Sequence, residues 1–307
     1  MLRHRKLSKM LVPADLQEFV AGRRLFGDDF DINRLKEWFE DEAGAYPEVE
    51  ARGEGHGTEF LSHAKNLRYG FKHLPDVNFD HALGFGAADA REFGPILHKL
   101  KRITVVEPTG DFDKSILGTV PVDYVRSHPD GRLDLPSDSF DMVTSLGALH
   151  HVANVSFVVK ELHRCLAPGG YMLLDEPTVS MGNWWEPRVG ATKRERGIPY
   201  HLMRGIILSM GFEIVRERRV YFAPATRLSS GLGVHLHSLP AYLPLDDVLC
   251  RLFCWNTEYH PISVLGWLQP SNVFFVLKKP TAQPRLSTLR ERESGSEEHA
   301  REYLARK

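Results

Sequence analysis

Apolar residues in the first 76 positions recur at the spacing of helices rather than strands. They share one face of residues 15–20, one face of a segment that begins at Asp31, and one face of residues 60–74. Gly44 to Pro47 is predicted to end the second of these helices. The pattern predicts an N-terminal helical cap over residues 1–76. This cap either only buries one side of a core or also forms a lid over a substrate.

From residue 77 onward, short apolar runs alternate with longer amphipathic ones. The short runs predict strands at residues 79–83, 103–107, 122–126, 140–146, 171–174, 212–220 and 273–277. Helices are predicted at residues 87–100, near 113–117, at 155–166 with Asn154 as the cap, and at 202–210. This alternation predicts an α/β sheet with helices on both faces.

The first two strands carry residues suited to a nucleoside ligand. The first leads into Gly84-Phe85-Gly86, and the second ends on Glu107. Glycines allow a sharp turn and the close approach of a ligand, while a carboxylate at that position can accept hydrogen bonds from two ribose hydroxyls. Asp89 stands where the dinucleotide fingerprint has its third glycine, which disfavours NAD or FAD. A cationic, phosphate-free nucleoside suits this turn better.

The composition is that of an ordinary globular protein. The 307 residues are 42% hydrophobic and 26% charged, with a formal net charge of −1, so a nucleic-acid binder with a basic excess is not expected. The start has no apolar run long enough for a signal peptide or a membrane span, which predicts a cytoplasmic location. Cys165, Cys250 and Cys254 give no disulfide framework, and neither they nor His235 and His237 predict a metal site.

Residues 133–177 carry three short motifs in order. They are Leu135-Pro136 followed by Ser139-Phe140-Asp141, then Leu149-His150-His151-Val152, and then Leu166-Ala167-Pro168-Gly169-Gly170. Together with the glycine turn and Glu107, these motifs resemble the class I S-adenosylmethionine-dependent methyltransferases. Within that family they are most similar to the small-molecule enzymes that include quinone and sterol methyltransferases. The resemblance covers residues 77–220 and 272–280, and it implies a Rossmann-like, seven-stranded mixed sheet whose last strand is antiparallel.

The resemblance also implies the cofactor S-adenosyl-L-methionine and the residues that hold it. Gly84, Phe85 and Gly86 would pass under the methionine part, and Glu107 would accept the ribose hydroxyls. The residues expected to line the cofactor at the end of the fourth strand are Ser145 and Leu146.

Other positions depart from the family or align with it less directly. Ala82 stands where the family has an acid for the cofactor's ammonium group, so Asp89 or backbone carbonyls would have to replace that contact. Ala88 replaces the family's third glycine, a change expected to be mild because alanine is small. An acid is expected at the adenine amino group, and Asp134 is preferred there over Asp130.

Methyl transfer is an in-line displacement, so the protein mainly has to align the acceptor and exclude water. A general base is needed only if the acceptor loses a proton. His150 and His151 follow the fourth strand and are the catalytic candidates; the alternative is that they only pack. Other candidates at the same rim are Glu176, Tyr200 and His201.

Residues 177–200 follow the fifth strand and combine aromatic with basic side chains. The residues concerned are Trp184, Trp185, Arg188, Lys193, Arg194 and Arg196. They would either grip a sugar, a phosphate-bearing carrier or an acidic metabolite, or form the hinge and surface of a lid.

The later chain completes a core at residues 77–280 with an insertion at 221–270, which is expected to serve the substrate or a subunit contact. Residues 281–307 form a charged tail, predicted to be disordered or a solvated helix.

The sequence therefore predicts a methyltransferase acting on a small molecule or biosynthetic intermediate, such as a saccharide or a lipid-linked precursor. An NAD(P)-dependent oxidoreductase and a non-catalytic cofactor-binding relative are the alternatives. The acceptor atom and the oligomeric state are left open.

Overall fold

A computed structural model of the chain describes residues 12–51, 62–108, 115–186, 192–233 and 235–281. Its N-terminal region contains a 3-10 helix at Ala14–Leu16, α1 (Gln17–Val20), α2 (Ile32–Ala51), α3 (His63–Tyr69) and a 3-10 helix at Phe71–His73. The prediction that Gly44 to Pro47 ends the second helix was wrong, because α2 continues through both residues. Among the described residues outside the surrounding turn of the helix, none has an atom within 4 Å of the place that a Cβ would take at Gly44. The division into a cap at 1–76 and a core stays a prediction.

The sheet has eight strands in the order β3-β4-β2-β1-β5-β6-β8-β7. The strands are β1 (Ala82–Phe85), β2 (Ile103–Glu107), β3 (Ile116–Leu117), β4 (Val120–Arg126), β5 (Phe140–Leu146), β6 (Leu166–Pro177), β7 (Glu213–Phe222) and β8 (Pro270–Lys278). Strand β8 pairs antiparallel with both β6 and β7, whereas β4, β2, β1, β5 and β6 are parallel. The Rossmann-like mixed sheet with an antiparallel last strand is therefore confirmed.

The additional strand is β3, which replaces the short helix predicted near residues 113–117. It pairs antiparallel with β4, and Gly118, with φ of +61°, makes the tight turn between them. Residues 109–114 lie outside the described part of the chain.

Helices cover both faces of the sheet. One face packs against α4 (Val155–Cys165) and α5 (Tyr200–Ser209); the other packs against α3, α7 (Leu243–Leu252) and a 3-10 helix at Arg91–Lys99. That 3-10 helix stands where an α-helix at residues 87–100 was predicted. Pro95 lies inside it and has no N–H for an α-helical hydrogen bond.

The first turn of α4 is capped from a distant part of the chain. The Asp28 carboxylate accepts hydrogen bonds from the Ser156 backbone N–H at 2.8 Å and from its hydroxyl at 2.6 Å. Asn154, the predicted cap, makes no side-chain cap; its amide instead donates to the Asp130 carbonyl oxygen at 2.7 Å. The N-terminal region is thereby joined to the helix that backs the sheet.

The insertion at 221–270 is mostly helical, with α6 (Ala223–Leu232), a 3-10 helix at Leu236–Ser238, α7 and α8 (Val264–Trp267). Helix α7 packs on β7 through a buried acid. Asp246 accepts the backbone N–H groups of Tyr221 at 3.1 Å and Phe222 at 2.9 Å, and it pairs with His237 at 3.1 Å. Among the described residues, no helix has the length and apolar character needed to cross a bilayer.

Candidate functional site

A cleft of about 750 Å³, including its open mouth, lies at the carboxyl ends of β1, β2 and β5. From β1 the sheet extends through β2 on one side and β5 on the other, which makes this edge the topological switch point where open α/β sheets bind ligands. Phe85, Gly86 and Glu107 line the cleft, and Trp38 and Glu42 of α2 cover it. Helix α2 thus forms one wall of the cleft.

Glu107 is the buried acid of this cleft, with 1% of its surface exposed. Its Oε1 accepts the Ala88 backbone N–H at 2.5 Å. An ionised carboxylate has about four acceptor sites, so a carboxylate at this place can accept hydrogen bonds from several donors at once.

The two glycines of the turn, Gly84 and Gly86, have different surroundings. Gly86, with φ of +67°, lines the cleft, and a Cβ there would lie 2.4 Å from the Ala148 Cβ. Gly84 does not line the cleft; a Cβ there would lie 2.6 Å from the Ala87 Cβ and meet the Phe93 ring. The role of Gly84 toward a cofactor stays a prediction.

Ala88, at the position of the third glycine, has φ of +47°. This left-handed backbone conformation costs a residue with a Cβ about 1 kcal/mol or more. The expectation that the replacement is mild because alanine is small was therefore wrong, since the cost lies in the backbone rather than in side-chain volume.

The predicted adenine acids do not line the cleft. Asp134 is exposed and pairs with His128 at 2.6 Å, and Asp130 contributes its carbonyl oxygen to the contact with Asn154. The adjoining wall comes from Ser127 to Pro129, Gly131 and Leu133. Contact of either acid with adenine stays a prediction.

The end of β5 reaches the cleft through residues other than those predicted. Ser145 is fully buried, and Leu146 packs against the core layer between the sheet and helices α3 and α7. Neither residue lines the cleft. Ala148, two residues further on, does.

His151 and Glu42 form a carboxylate–imidazole pair at the cleft. His151 Nδ1 lies 2.7 Å from Glu42 Oε2, and both residues line the cleft. Burial opposes protonation of His151, but the hydrogen bond and charge of Glu42, with Glu195 and Glu176 nearby, outweigh it and raise the pKa of the imidazole. The Trp38 indole N–H donates to the His151 carbonyl oxygen at 2.6 Å and holds α2 against this turn.

His150 has a different environment. It is 8% exposed, and its Nδ1 lies 2.8 Å from Glu176 Oε2. Burial and the adjacent charge of His151 lower the pKa of His150 to about 3, so it is neutral at pH 7. Glu176 also accepts the backbone N–H groups of Ala148 and Leu149, at 3.0 and 2.7 Å, while burial raises its pKa to about 8. His150 and Glu176 thus shape the turn that presents His151.

His150, His151 and Glu195 bring ligand-type atoms within 4.8 Å of one another, a spacing that a cation can bridge. Each of them already has a hydrogen-bonding partner in the protein. Glu195 accepts the Thr192 N–H at 3.0 Å, and the Thr192 hydroxyl lies 3.3 Å from His151 Nδ1. We therefore treat the group as part of the hydrogen-bond network.

The basic residues of the loop at 177–200 hold α2 in place. Lys193 and Arg194 pair with Asp41 at 2.6 and 2.7 Å, and Arg194 also reaches Glu37 at 2.6 Å. Arg196 is fully buried and donates to the Phe26 and Ala153 carbonyl oxygens, both at 2.9 Å. Of the two interpretations of this loop, these contacts favour the hinge and surface of a lid. Arg188 lies outside the described residues.

The aromatic pair and the remaining rim candidates lie away from the cleft lining. Trp184 packs on Phe26 with ring centroids 4.6 Å apart. Tyr200 donates to Glu217, and His201 lines a separate surface groove with Asp28 and Ser156.

Several buried charged residues near the site were not recognised from the sequence. Glu42 and Glu195 pair with the histidine turn, and Lys65 pairs with Asp175 at 2.5 Å. Their positions depend on contacts across more than 40 residues of sequence, which no local pattern reveals. The sequence offered Trp38 beside an apolar helix face, which indicates a side of α2 that packs against the rest of the protein.

Residues 83–174 match a family model described as a methyltransferase domain. Among curated proteins, a hybrid PKS-NRPS synthetase of Acremonium sp is 35% identical over 78 residues, which are 25% of this chain and 2% of that synthetase. The chain thus spans only a small fraction of the length of that relative.

Two solved structures of methyltransferases are among those similar to this chain. An S-adenosylmethionine-dependent methyltransferase from Mesorhizobium loti superposes with a TM-score of 0.47 at 16% identity, covering 71% of this chain and 100% of that one. A SAM-dependent methyltransferase of Leishmania major gives a TM-score of 0.45 at 14% identity, covering 80% of this chain and 82% of that one.

Proposed function

Because residues 83–174 match a family model described as a methyltransferase domain, we propose that this chain is a class I methyltransferase that binds S-adenosyl-L-methionine in the cleft and transfers its methyl group. The acceptor is a small molecule. The observation that carries the proposal is the position of Glu107 beside Gly86 at the switch point of the sheet, inside the matched segment.

The residues of the cleft suit this cofactor. Glu107 supplies acceptors for two ribose hydroxyls, and Val106, Leu133 and Val158 offer apolar contacts for an adenine ring. Asp89, which pairs with Arg91 at 2.6 Å, places an acid at the start of the following helix. That acid disfavours the pyrophosphate of a nicotinamide dinucleotide but not a phosphate-free nucleoside.

The chain's part in methyl transfer is to align the acceptor, exclude water and receive a proton. When bound, S-adenosyl-L-methionine supplies a methyl group on a positively charged sulfur. Helix α2 forms one wall of the cleft and limits the access of water from that side. His151 lines the cleft with Nδ1 held by Glu42, so the neutral form of the imidazole, which gains population as pH rises, can accept a proton on Nε2 from an acceptor hydroxyl or amine. Glu42 would stabilise the resulting imidazolium.

The walls of the cleft bear on the class of acceptor. Leu35, Trp38 and Phe39 of α2 all line it and present apolar surface. Such a wall favours an acceptor with an apolar body, so a lipid-linked precursor is a better candidate than a free saccharide.

Calorimetric titration of the protein with S-adenosyl-L-methionine and with NAD tests the cofactor. Only the first is expected to bind, and Glu107→Gln should weaken that binding roughly tenfold to hundredfold, because charged hydrogen bonds to ribose are lost. Glu213→Gln, at an exposed position on β7, is the matched control and should bind as the parent does. Circular dichroism checks that both variants are folded.

Transfer is tested with an isotopically labelled methyl donor and mass spectrometry of a metabolite and lipid extract. A labelled product identifies the acceptor. Binding of NAD in place of S-adenosyl-L-methionine would overturn the proposal in favour of an oxidoreductase. Cofactor binding without any labelled product would favour a non-catalytic relative.

A further inference from the structure

The insertion at 221–270 presents an apolar stripe to solvent. Leu245, Val248 and Leu252 of α7 are 54%, 53% and 62% exposed, while Leu243 and Cys250 face the core at 1%. Positions spaced by three and four residues share one face of a helix. The outward face of α7 is therefore apolar along its whole length.

Three more apolar side chains are exposed beyond the end of α7. Trp255, Val264 and Leu265 are 71%, 84% and 69% exposed. The Asn256 amide donates to the carbonyl oxygens of Leu265 at 2.9 Å and Gly266 at 3.2 Å, which ties α8 to the segment after α7. The six exposed apolar side chains together form the apolar stripe: Leu245, Val248, Leu252, Trp255, Val264 and Leu265.

A cluster of cations lies beside the stripe. Its members are Arg68, Lys72, Arg216, Arg218 and Arg251. Asp247 pairs with Arg251 at 3.0 Å and with Arg68 at 3.6 Å. Within the part of the chain that the structure describes, Arg216 and Arg218 form no ion pair, and the buried Nε atom of each lacks a hydrogen-bond partner. The cluster therefore carries more positive charge than its neighbours compensate.

The cations are close enough to repel one another. Burial and the charges of Arg68 and Arg216 lower the pKa of Lys72. Burial and the charge of Arg218, followed by those of Arg251 and Arg68 and opposed by Asp247, lower the pKa of Arg216. A bound anion would relieve this repulsion.

The sheet register places the cluster next to α7. Arg216 pairs with Val276 and Arg218 with Phe274 across β7 and β8, and both partners belong to the core layer that includes Leu243 of α7. On α7 itself, Asp247 and Arg251 lie between the buried face and the apolar stripe. Basic and apolar side chains thus lie side by side on α7 and at the neighbouring edge of the sheet.

We propose that this side of the molecule docks on an anionic lipid surface, with the apolar stripe entering the boundary between headgroups and acyl chains and the cations meeting lipid phosphates. Interfacial helices combine these two features, an apolar face with leucine and tryptophan and a flank of lysine or arginine. The protein as a whole has a net charge of −1, so the attraction comes from this local cluster. A second copy is a poorer occupant, because a twofold contact through α7 would bring two uncompensated basic clusters together.

Sedimentation of the full chain with lipid vesicles tests the docking. Vesicles containing phosphatidylglycerol should bind the protein, pure phosphatidylcholine should bind it weakly, and raised salt should weaken the binding. Arg216→Gln with Arg218→Gln should reduce the partition coefficient roughly thirtyfold, because each basic side chain near an anionic surface strengthens binding several-fold. Leu252→Asp should also reduce it.

Control variants on other faces carry the same chemical changes. Arg102→Gln with Arg126→Gln removes two exposed arginines near β2 and β4, and Leu208→Asp changes an exposed leucine of α5. Both should sediment as the parent does, and thermal unfolding checks that all variants are folded. Absence of binding to anionic vesicles, or binding that the stripe and cluster variants do not alter, would overturn the proposal. So would a concentration-dependent dimer in light scattering that Leu252→Asp abolishes. Each readout is independent of methyl transfer.

Discussion

Ala88 holds a left-handed backbone conformation at the turn that lines the cleft, with φ of +47°. Ala88→Gly is expected to raise the free energy of unfolding by about 1 kcal/mol, because glycine relieves the Cβ contact while its backbone N–H still reaches Glu107. Urea unfolding measures the difference. The control is Ala87→Gly, whose parent residue has no positive φ and packs its Cβ beneath the turn. This variant should lose stability, and a gain there equal to that of Ala88→Gly would contradict the assignment of strain.

The Glu42–His151 pair makes stability depend on pH. The pKa of His151 is raised in the folded protein, so the pair stabilises the fold fully below about pH 6.5 and less as pH rises through the raised pKa. Glu42→Gln should cost about 2 kcal/mol at pH 6 and progressively less at higher pH.

Urea unfolding of parent and Glu42→Gln across pH 5.5–9, with an NMR titration of His151, measures this effect. Asp134→Asn, which removes the exposed partner of His128, is the control and should leave the unfolding midpoint unchanged. A cost of Glu42→Gln that stays constant with pH would show that the carboxylate does not act through His151.

At the scale of single residues, the sequence predicted which kinds of residue form the site better than it predicted which residues contact one another. Glu107 follows a recognisable strand, and the structure has it at the end of β2 in the cleft. Glu42 was not recognised, because its partner is 109 residues away and α2 has no local feature that marks one acid among several. Ala88 was misjudged because backbone conformation at a turn is set by the whole loop, not by the size of one side chain.

Helix α3 is anchored to the sheet by a buried ion pair, in which Lys65 Nζ lies 2.5 Å from Asp175 Oδ2. Lys65→Met should lower the free energy of unfolding by about 3–5 kcal/mol, because Asp175 is left buried without its counter-charge. Lys65→Met combined with Asp175→Leu should cost less than the single change.

Chemical denaturation compares these variants with Lys101→Met. Lys101 pairs with Asp80 at the same distance of 2.5 Å, but these side chains are 68% and 75% exposed. The control should leave the unfolding midpoint unchanged, since solvent screens an exposed pair. A loss of similar size in both single variants would mean that burial does not determine the value of the pair.

Elements with a strong local pattern were predicted closely. The strand at residues 140–146 coincides with β5, and the helix after Asn154 coincides with α4. Prediction was poorer in two other segments. Gly44 and Pro47 do not end α2, and the segment after the glycine turn, predicted as an α-helix, forms a 3-10 helix that contains Pro95. The two-residue strand β3 is too short for a periodic pattern to reveal.

At the scale of the molecule, cofactor binding should stabilise the fold as a whole. S-adenosyl-L-methionine at one hundred times its dissociation constant adds about 2.7 kcal/mol, which for a chain of 307 residues corresponds to a rise of roughly 4 °C in the midpoint of thermal unfolding. Differential scanning fluorimetry measures the shift. NAD at the same concentration is the control ligand, and an equal shift with NAD would contradict the cofactor assignment.

The sheet class and its antiparallel last strand followed from the order of strand and helix patterns together with the family motifs. The residues that form the walls of the cleft could not be predicted from these patterns. Helix α2 and the loop after residue 192 meet there through Arg194 and Asp41, which are 153 residues apart. Such contacts are set by how the cap packs on the sheet, and no spacing within one segment encodes them.

The Asp28 carboxylate that caps α4 lies outside the segment that matches the methyltransferase family model. Residues 83–174, which match the family model, include α4. They do not include Asp28, whose carboxylate caps the first turn of that helix. If that segment alone were moved into another protein, the first turn of α4 would lose this acceptor, at a cost of about 1 kcal/mol unless another residue took the place of Asp28.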